Sequence, residues 1–244
     1  MSLNGKTVLV TGSSRGLGKA IALAFASQKA RVAINYRASE DEAKEVVKEI
    51  QEIGGETLLI KANIGDAAQA KYLIEEITRK WGQLDILVNN AGITSQDRFS
   101  DMPIERWNLI VGVNLNGSAY CAHAVLPQML QRNSGVIINM SSILATRVQY
   151  SVVYGATKAG IERFTTGLAR ELRRSDISST CIKPYFSKTE VVTTFLDGKV
   201  DTSDWEEPEM WGVYCTKIAE AESPATTGKI FDQALCQQTF GAWK

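Results

Sequence analysis

Tyr154 and Lys158 stand four residues apart in the stretch Tyr154-Gly155-Ala156-Thr157-Lys158, with Ser141-Ser142 upstream. On a helix this spacing puts both side chains on one face, with Cβ atoms about 5–6 Å apart. A free phenol titrates near ~10 and exchanges protons poorly at neutral pH. An ammonium beside it stabilises the phenolate, and each unit of that stabilisation needs only about 1.4 kcal/mol. A serine hydroxyl nearby could hold a substrate oxygen. Together these groups are equipped to move a proton on or off a carbonyl or an alcohol. Alone, such a pair more often forms an aromatic ring covered by a lysine stem. The weight of the catalytic reading comes from the other end of the chain.

Lys6-Thr7-Val8-Leu9-Val10-Thr11 is a short β-branched apolar run and reads as a buried strand. It breaks at Gly12-Ser13-Ser14-Arg15-Gly16-Leu17-Gly18, and a helical pattern with Ala20, Ile21, Leu23, Ala24 and Phe25 follows. A strand, a glycine-rich turn and a helix together make the setting for a dinucleotide. The helix N-terminus offers free N–H groups and a positive dipole end to the pyrophosphate. The glycines permit the tight turn and the close approach of phosphate. The spacing, Thr11-Gly12-x-x-x-Gly16-x-Gly18, differs from the common G-x-G-x-x-G. The next strand, Arg31–Tyr36, ends in Arg37, where an NAD-binding unit should carry an acid for the ribose 2′-hydroxyl. That acid is missing. Arg15 and Arg37 could instead clasp a 2′-phosphate, which favours NADP(H) over NAD(H).

The elements that must position these groups alternate along the chain. Strands are expected near Thr7–Thr11, Val32–Tyr36, Thr57–Ala62, Leu84–Asn89, Val136–Ser141, Ser178–Lys183 and Lys229–Asp232. Helices are expected over Gly16–Gln28, Glu40–Ile53, Ala67–Trp81, Ile104–Gln131 and Val152–Ser175. Such alternation argues for one α/β domain, a doubly wound parallel sheet of seven strands with helices on both faces. Ligands then bind beyond the carboxyl ends of the strands, where Thr11, Asn89, Ser142 and Pro184 all fall. No linker, repeat or low-complexity stretch divides the chain. The segment from Tyr185 to Trp211 is the least regular. It mixes apolar residues (Phe186, Phe195, Leu196, Trp205, Met210, Trp211) with the acids Asp201, Asp204, Glu206, Glu207 and Glu209.

Bulk properties are those of an ordinary globular domain. The 244 residues are 44% hydrophobic and 22% charged, with a formal net charge of zero, so no basic field invites nucleic acid or an anionic membrane. No signal segment and no apolar run of bilayer-spanning length is read. The cysteines Cys121, Cys181, Cys215 and Cys236 are scattered without C-x-x-C and read as reduced, structural thiols, which fits a cytoplasmic location. His123 is the only histidine, so histidine catalysis or a metal cluster is implausible, and its expected place is structural or interfacial.

Five segments, Thr11–Gly18, Asn89-Asn90-Ala91-Gly92, Asn114, Ser142 and Tyr154-x-x-x-Lys158, occur in this order across most of the chain. Taken together they resemble the short-chain dehydrogenase/reductase family in its single-domain form, including its 3-oxoacyl-carrier-protein reductase-like members. The resemblance implies that Tyr154 is the general acid/base, and that Lys158 aids it and binds the nicotinamide ribose. Ser142 would position the substrate oxygen, and Asn114 would hold a water in a proton relay to Lys158. It further implies a cofactor site built from Gly12, Ser14, Arg15, Gly16, Leu17, Gly18, Tyr36, Arg37, Asn63, Ile64, Asn90, Ala91, Gly92, Tyr154, Lys158, Pro184 and Thr189. A substrate lid over 185–211 is implied as well. So is a homodimer or homotetramer formed through the helices around His123 and Phe164. The expected partner is a small carbonyl or alcohol substrate, with no nucleic acid and no membrane.

Some positions depart from the family pattern. Ser142 precedes Tyr154 by twelve residues rather than the usual thirteen, which Ser141 would restore; the strand ending Met140-Ser141-Ser142 favours Ser142, with a one-residue deletion within 145–149. Tyr185 replaces a glycine after Pro184, and Asn63 replaces an aspartate near the adenine. The closing Asp-Gly-Gly is absent after Thr227-Gly228-Lys229-Ile230-Phe231-Asp232. The leading expectation is an NADP(H)-dependent oxidoreductase on a carbonyl/alcohol pair. The alternative is a non-catalytic NADP-binding sensor of a partner protein, suggested by Tyr185 and the altered C-terminus. A sugar-nucleotide epimerase shares Tyr-x-x-x-Lys, but the chain has little room for its second domain.

Overall fold

Every residue of β1 (Thr7–Val10) is buried, and its side chains divide by parity, with Val8 and Val10 in one core and Leu9 in another. The same division runs through β2 (Arg31–Tyr36), where Val32 and Ile34 oppose Ala33, and through β4 (Ile86–Asn89), where Ile86 and Val88 oppose Leu87. A strand with both faces covered reads as a continuous apolar run, and that is the pattern these segments carry.

The computed structural model describes residues 2–95, 97–148, 151–188, 205–221 and 223–243. After β1 come α1 (Gly16–Ser27), β2, α2 (Glu40–Glu52), β3 (Thr57–Lys61), α3 (Ala67–Trp81) and β4. Then follow α4 (Ile104–Val111), α5 (Gly117–Arg132), β5 (Gly135–Met140), α6 (Val152–Glu171) and β6 (Ile177–Ile182). The chain ends with α7 (Pro208–Glu220), the single turn α8 (Ser223–Thr226), β7 (Ile230–Phe231) and α9 (Gln233–Phe240). The seven strands form one parallel sheet in the order β3-β2-β1-β4-β5-β6-β7, as expected from the alternation. The chain winds outward from β1 to β3 and then returns past β1 to β4. This reversal of strand order is the switch point at which open α/β sheets bind ligands.

Local signals set the helix ends that matter. Asp66 caps α3 by accepting from the N–H groups of Ala68 (2.9 Å) and Gln69 (3.1 Å), and Gly82 closes it in the left-handed region at φ 85°. Ser151 caps α6 through the N–H of Tyr154 at 3.3 Å, so the start of this helix is pinned at the tyrosine itself.

Three expectations change. The helix expected over Ile104–Gln131 is not continuous: a π-helical turn, Gly112–Asn116, separates α4 from α5. An inserted residue of this kind is a recurrent device at functional sites. Second, the run Ile104–Arg132 passes for a membrane span in length and hydropathy, contrary to the expectation of no such run. In the fold its α5 part packs into the core beside α3, with Cys121, Ala122, Val125 and Met129 buried there. Third, Met210 and Trp211, which the sequence leaves in an irregular segment, lie in α7 and are buried against α1. A Cβ on Gly212 would meet Ala20 O and Ala24 Cβ at 2.8 Å, so the two helices approach as closely as a glycine allows.

All four cysteines are buried and unpaired, as expected. Burial pushes the thiols of Cys121, Cys181 and Cys236 up to about 12. The native protein is therefore expected to resist thiol-labelling reagents at pH 8, with four thiols titrating only after denaturation; labelling of a native cysteine would overturn this. His123 is exposed on α5, a position open to an interface.

Candidate active site

The carboxyl ends of β1, β2 and β4 meet the glycine turn in a web of side-chain bonds. Asn35 accepts from Gly12 N–H at 3.1 Å and donates to Ala62 O at 3.1 Å. Thr11 Oγ1 accepts from the N–H groups of Asn90 and Ala91, both at 3.0 Å, while Asn90 Nδ2 donates to Thr11 O at 2.8 Å. Gly12 and Gly16 hold φ values of 62° and 56°, which side-chain-bearing residues rarely adopt. A Cβ on Gly18 would stand 2.5 Å from Gly12 O and from Asn90 Nδ2. α1 then opens at Arg15 with no capping side chain and no acid in its first turn. Its leading N–H groups are thus left for an anion, and the turn fits a dinucleotide pyrophosphate.

This turn forms one wall of a cleft of about 730 Å³. Of the residues expected to hold a cofactor, all but one line it: Gly12, Ser14, Arg15, Gly16, Leu17, Gly18, Tyr36, Arg37, Asn63, Ile64, Asn90, Ala91, Gly92, Tyr154, Lys158 and Pro184. Thr189 lies outside the described residues. Arg15 and Arg37 are exposed at one end, and no carboxylate lies among the described lining residues. Glu40, near Tyr36, is engaged by Lys44 at 2.8 Å. Lys44 holds the Glu40 carboxyl below its ordinary range.

Lys158 sits deeper in the cleft. Its ammonium group is 5.5 Å from the Tyr154 ring centroid and donates to Met140 O at 2.6 Å. The residue is only 4% exposed, and among the described residues it pairs with no carboxylate. An ammonium has three donors. Two of them find no acceptor among the described residues, and a Cβ on Gly92 would stand 3.7 Å away, so the open side of Lys158 faces the Gly92 turn.

Asn114 is not a wall of the cleft. Its Oδ1 accepts from Ile93 N–H at 2.8 Å, and its Nδ2 donates to Ile93 O at 2.9 Å and to Thr157 Oγ1 at 3.1 Å. The π-helical turn brings Asn114 to this position, where it ties the Gly92–Ile93 turn to α6 one residue before Lys158. Both serines line the cleft, but their hydroxyls differ. Ser141 Oγ donates to Glu162 Oε1 at 2.8 Å, with Lys158 O at 3.3 Å, and Glu162 in turn pairs with Lys183 at 3.2 Å. Ser142 Oγ accepts from Leu144 N–H at 3.2 Å, which leaves its own hydrogen free to donate.

Tyr185 lines the cleft while its hydroxyl accepts from Arg147 Nη1 at 2.6 Å. The residues on either side of 189–204 meet beside it. Phe186 stacks on Trp205 with ring centroids 5.1 Å apart, Glu206 N–H donates to Phe186 O at 2.8 Å, and Lys188 N–H donates to Glu206 O at 2.9 Å. The middle of the expected lid, 189–204, lies outside the described residues. Sequence reasoning gives no role to Asn35 or Arg147, and counts Glu206 only among the acids of the segment 185–211. A polar residue inside an apolar strand run signals the first; the other two carry no signal in a single sequence.

Glu206 is 8% exposed, and its Oε2 accepts from Tyr185 N–H at 2.8 Å and Trp211 Nε1–H at 3.0 Å. Burial raises its carboxyl above the ordinary value, and the two donors only partly oppose this. A carboxyl raised in the fold contributes stability at low pH that is lost as pH rises through the folded value. Glu206→Gln keeps an oxygen for both donors and removes the buried charge. Relative to wild type, the variant is expected to gain in Tm as pH rises from 4 to 8, and to exceed wild type at pH 8. A variant that falls below wild type at pH 8 would contradict this. Glu206→Ala strands two buried donors, each worth about 1–3 kcal/mol.

Comparison with known proteins agrees with this geometry. Residues 6–199 match the family model described as short chain dehydrogenase. The chain is 39% identical over 193 residues to the 3-oxoacyl-[acyl-carrier-protein] reductase FabG of Staphylococcus aureus, covering 79% of this chain and 78% of that protein. It is 38% identical over 191 residues to the 3-oxoacyl-[acyl-carrier-protein] reductase of Synechocystis sp., covering 78% and 77%. A crystal structure of a putative short-chain alcohol dehydrogenase from Sinorhizobium meliloti 1021 superposes with a TM-score of 0.86 at 28% identity, covering 95% of both chains.

Proposed function

Since this chain belongs to the short-chain dehydrogenase family and is an oxidoreductase acting on CH–OH groups, we propose that it uses NADP(H) to interconvert a carbonyl and a secondary alcohol, with Tyr154 as general acid/base. The observation that carries this reading is Lys158, a buried ammonium beside Tyr154 with two donors that find no acceptor among the described residues. An unsatisfied buried charge is costly, and acceptors on a bound ligand are what would complete it.

The hydride for the carbonyl carbon would come from the bound nicotinamide, NADPH being oxidised to NADP⁺. The chain handles the proton. Tyr154 gives its hydroxyl proton to the carbonyl oxygen as the C=O double bond becomes C–OH, and Ser142 Oγ–H holds that oxygen in place. Lys158 stabilises the negative charge left on the phenol oxygen and is held by Met140 O. Asn114 positions the Gly92–Ile93 turn against Lys158. Arg15 and Arg37 meet the 2′-phosphate, and the uncapped start of α1 meets the pyrophosphate. The working form is a cytoplasmic homodimer or homotetramer.

The cofactor assignment is tested by fluorescence titration of NADPH and NADH. NADPH is expected to bind more tightly, and Arg37→Asp is expected to weaken it by about 10–100-fold, as loss of a charge-assisted contact does. A preference for NADH, or no binding, would overturn the assignment.

A further inference from the structure

At the other end of the cleft from the phosphate clasp, Arg106 Nη2 donates to Thr94 O at 3.1 Å, two residues beyond Gly92. Arg147 stands beside the same region through its bond to Tyr185, with its guanidinium carbon 5.1 Å from the ring centroid. The direction of that bond matters. Arginine has no acceptor, so the phenol oxygen must accept and its own O–H is left to donate elsewhere. Among the described residues Nε and Nη2 of Arg147 find no acceptor, and Arg147 pairs with no carboxylate. Glu206, which reaches Tyr185, gives its Oε2 to the backbone N–H and to Trp211.

Arg147 is itself exposed, and Leu144 and Tyr185 line the cleft. We propose that the carbonyl substrate carries an oxyanion, a carboxylate or a phosphate, bound by the Arg147 guanidinium and the Tyr185 hydroxyl while its carbonyl lies at Tyr154 and Ser142. The proposal rests on the reductase reading above. It assigns Tyr185 a specificity role at the position from which a smaller residue would present no donor.

The test is NADPH-dependent reduction of matched pairs: 4-oxopentanoate and 5-oxohexanoate against their methyl esters, and dihydroxyacetone phosphate against dihydroxyacetone. In at least one pair the anion is expected to be favoured by about tenfold or more in kcat/KM, the worth of a charge-assisted contact. That ratio is expected to fall to near one in Arg147→Gln and to shrink in Tyr185→Phe. Equal use of anion and neutral partner in every pair, or a preference that survives Arg147→Gln, would overturn the proposal while leaving the reductase reading intact. If no ketone is reduced, the reductase reading fails instead. Saturation-transfer NMR with 5-oxohexanoate and its ester on the NADP⁺-loaded protein then decides the anion site. Selective binding of the acid that is lost in Arg147→Gln supports it, and equal or absent binding overturns it.

Discussion

Tyr154→Phe is expected to bind NADPH as wild type does and to lose about 10²–10⁴-fold in kcat/KM for any carbonyl substrate, the usual contribution of a positioned acid/base. The substitution removes one oxygen and little else. Ser151 caps α6 through the backbone N–H of residue 154, a bond indifferent to the side chain. The ring remains for the ammonium 5.5 Å away. Tyr154 is half-buried in the cleft wall, so the phenyl group leaves no void in the core. The measurement is steady-state reduction of a ketone panel with NADPH, beside a fluorescence titration of the same preparation. Intact binding with lost turnover assigns the proton to the Tyr154 hydroxyl. Unchanged turnover would show that the proton comes from elsewhere. A wild-type protein that binds NADPH and turns over nothing would revive the sensor alternative.

What was legible in the sequence follows from what each pattern records. The central strands β1, β2 and β4 announce themselves because both faces are buried, so Val8, Leu9 and Val10 are all apolar whichever core they enter. The glycine turn is legible because Gly12 and Gly16 need positive φ and Gly18 has no room for a Cβ. By contrast, α7 was missed although Pro208 opens it and Met210, Trp211, Tyr214 and Ile218 form its buried face. Its aromatic residues and the acids before it imitate a loop. The π-helical turn was missed for a different reason. Residues 104–132 keep helical propensity throughout, and one extra residue per turn leaves no mark on composition. A Cβ on Gly65, which would meet Val113 Cγ2 at 3.3 Å and the Gly112 carbonyl carbon at 3.4 Å, shows how closely that bulge is packed. The choice of Ser142 over Ser141 rested on the strand end. Glu162 engages the Ser141 hydroxyl, a contact that no sequence pattern reveals. The partnership of Arg147 with Tyr185 spans 38 residues and could not be read from either one alone.

Lys158→Met separates catalytic worth from structural worth. A buried ammonium costs the fold several kcal/mol of desolvation. It returns part of this through its bond to Met140 O at 2.6 Å, a carbonyl whose unpairing costs about 1–3 kcal/mol. The two terms oppose, and methionine fills most of the volume of the lysine stem. The variant is therefore expected to unfold within about 2 kcal/mol of wild type. Turnover responds differently, because no second group stands in for the charge. Among the described residues that line the cleft, Arg15, Arg37 and Arg106 are the other cations, and none of them contacts the Tyr154 ring. Loss of a preorganised charge beside the reacting oxygen costs about 10²–10³-fold, and the vacated donors weaken cofactor binding as well. Denaturant unfolding and NADPH turnover on one preparation decide it. Near-wild-type stability with turnover lost by that factor fits a charge kept in the core for its ligand. Large destabilisation with modest loss of turnover would make Lys158 a structural anchor of β5 and remove the observation on which the reductase reading stands.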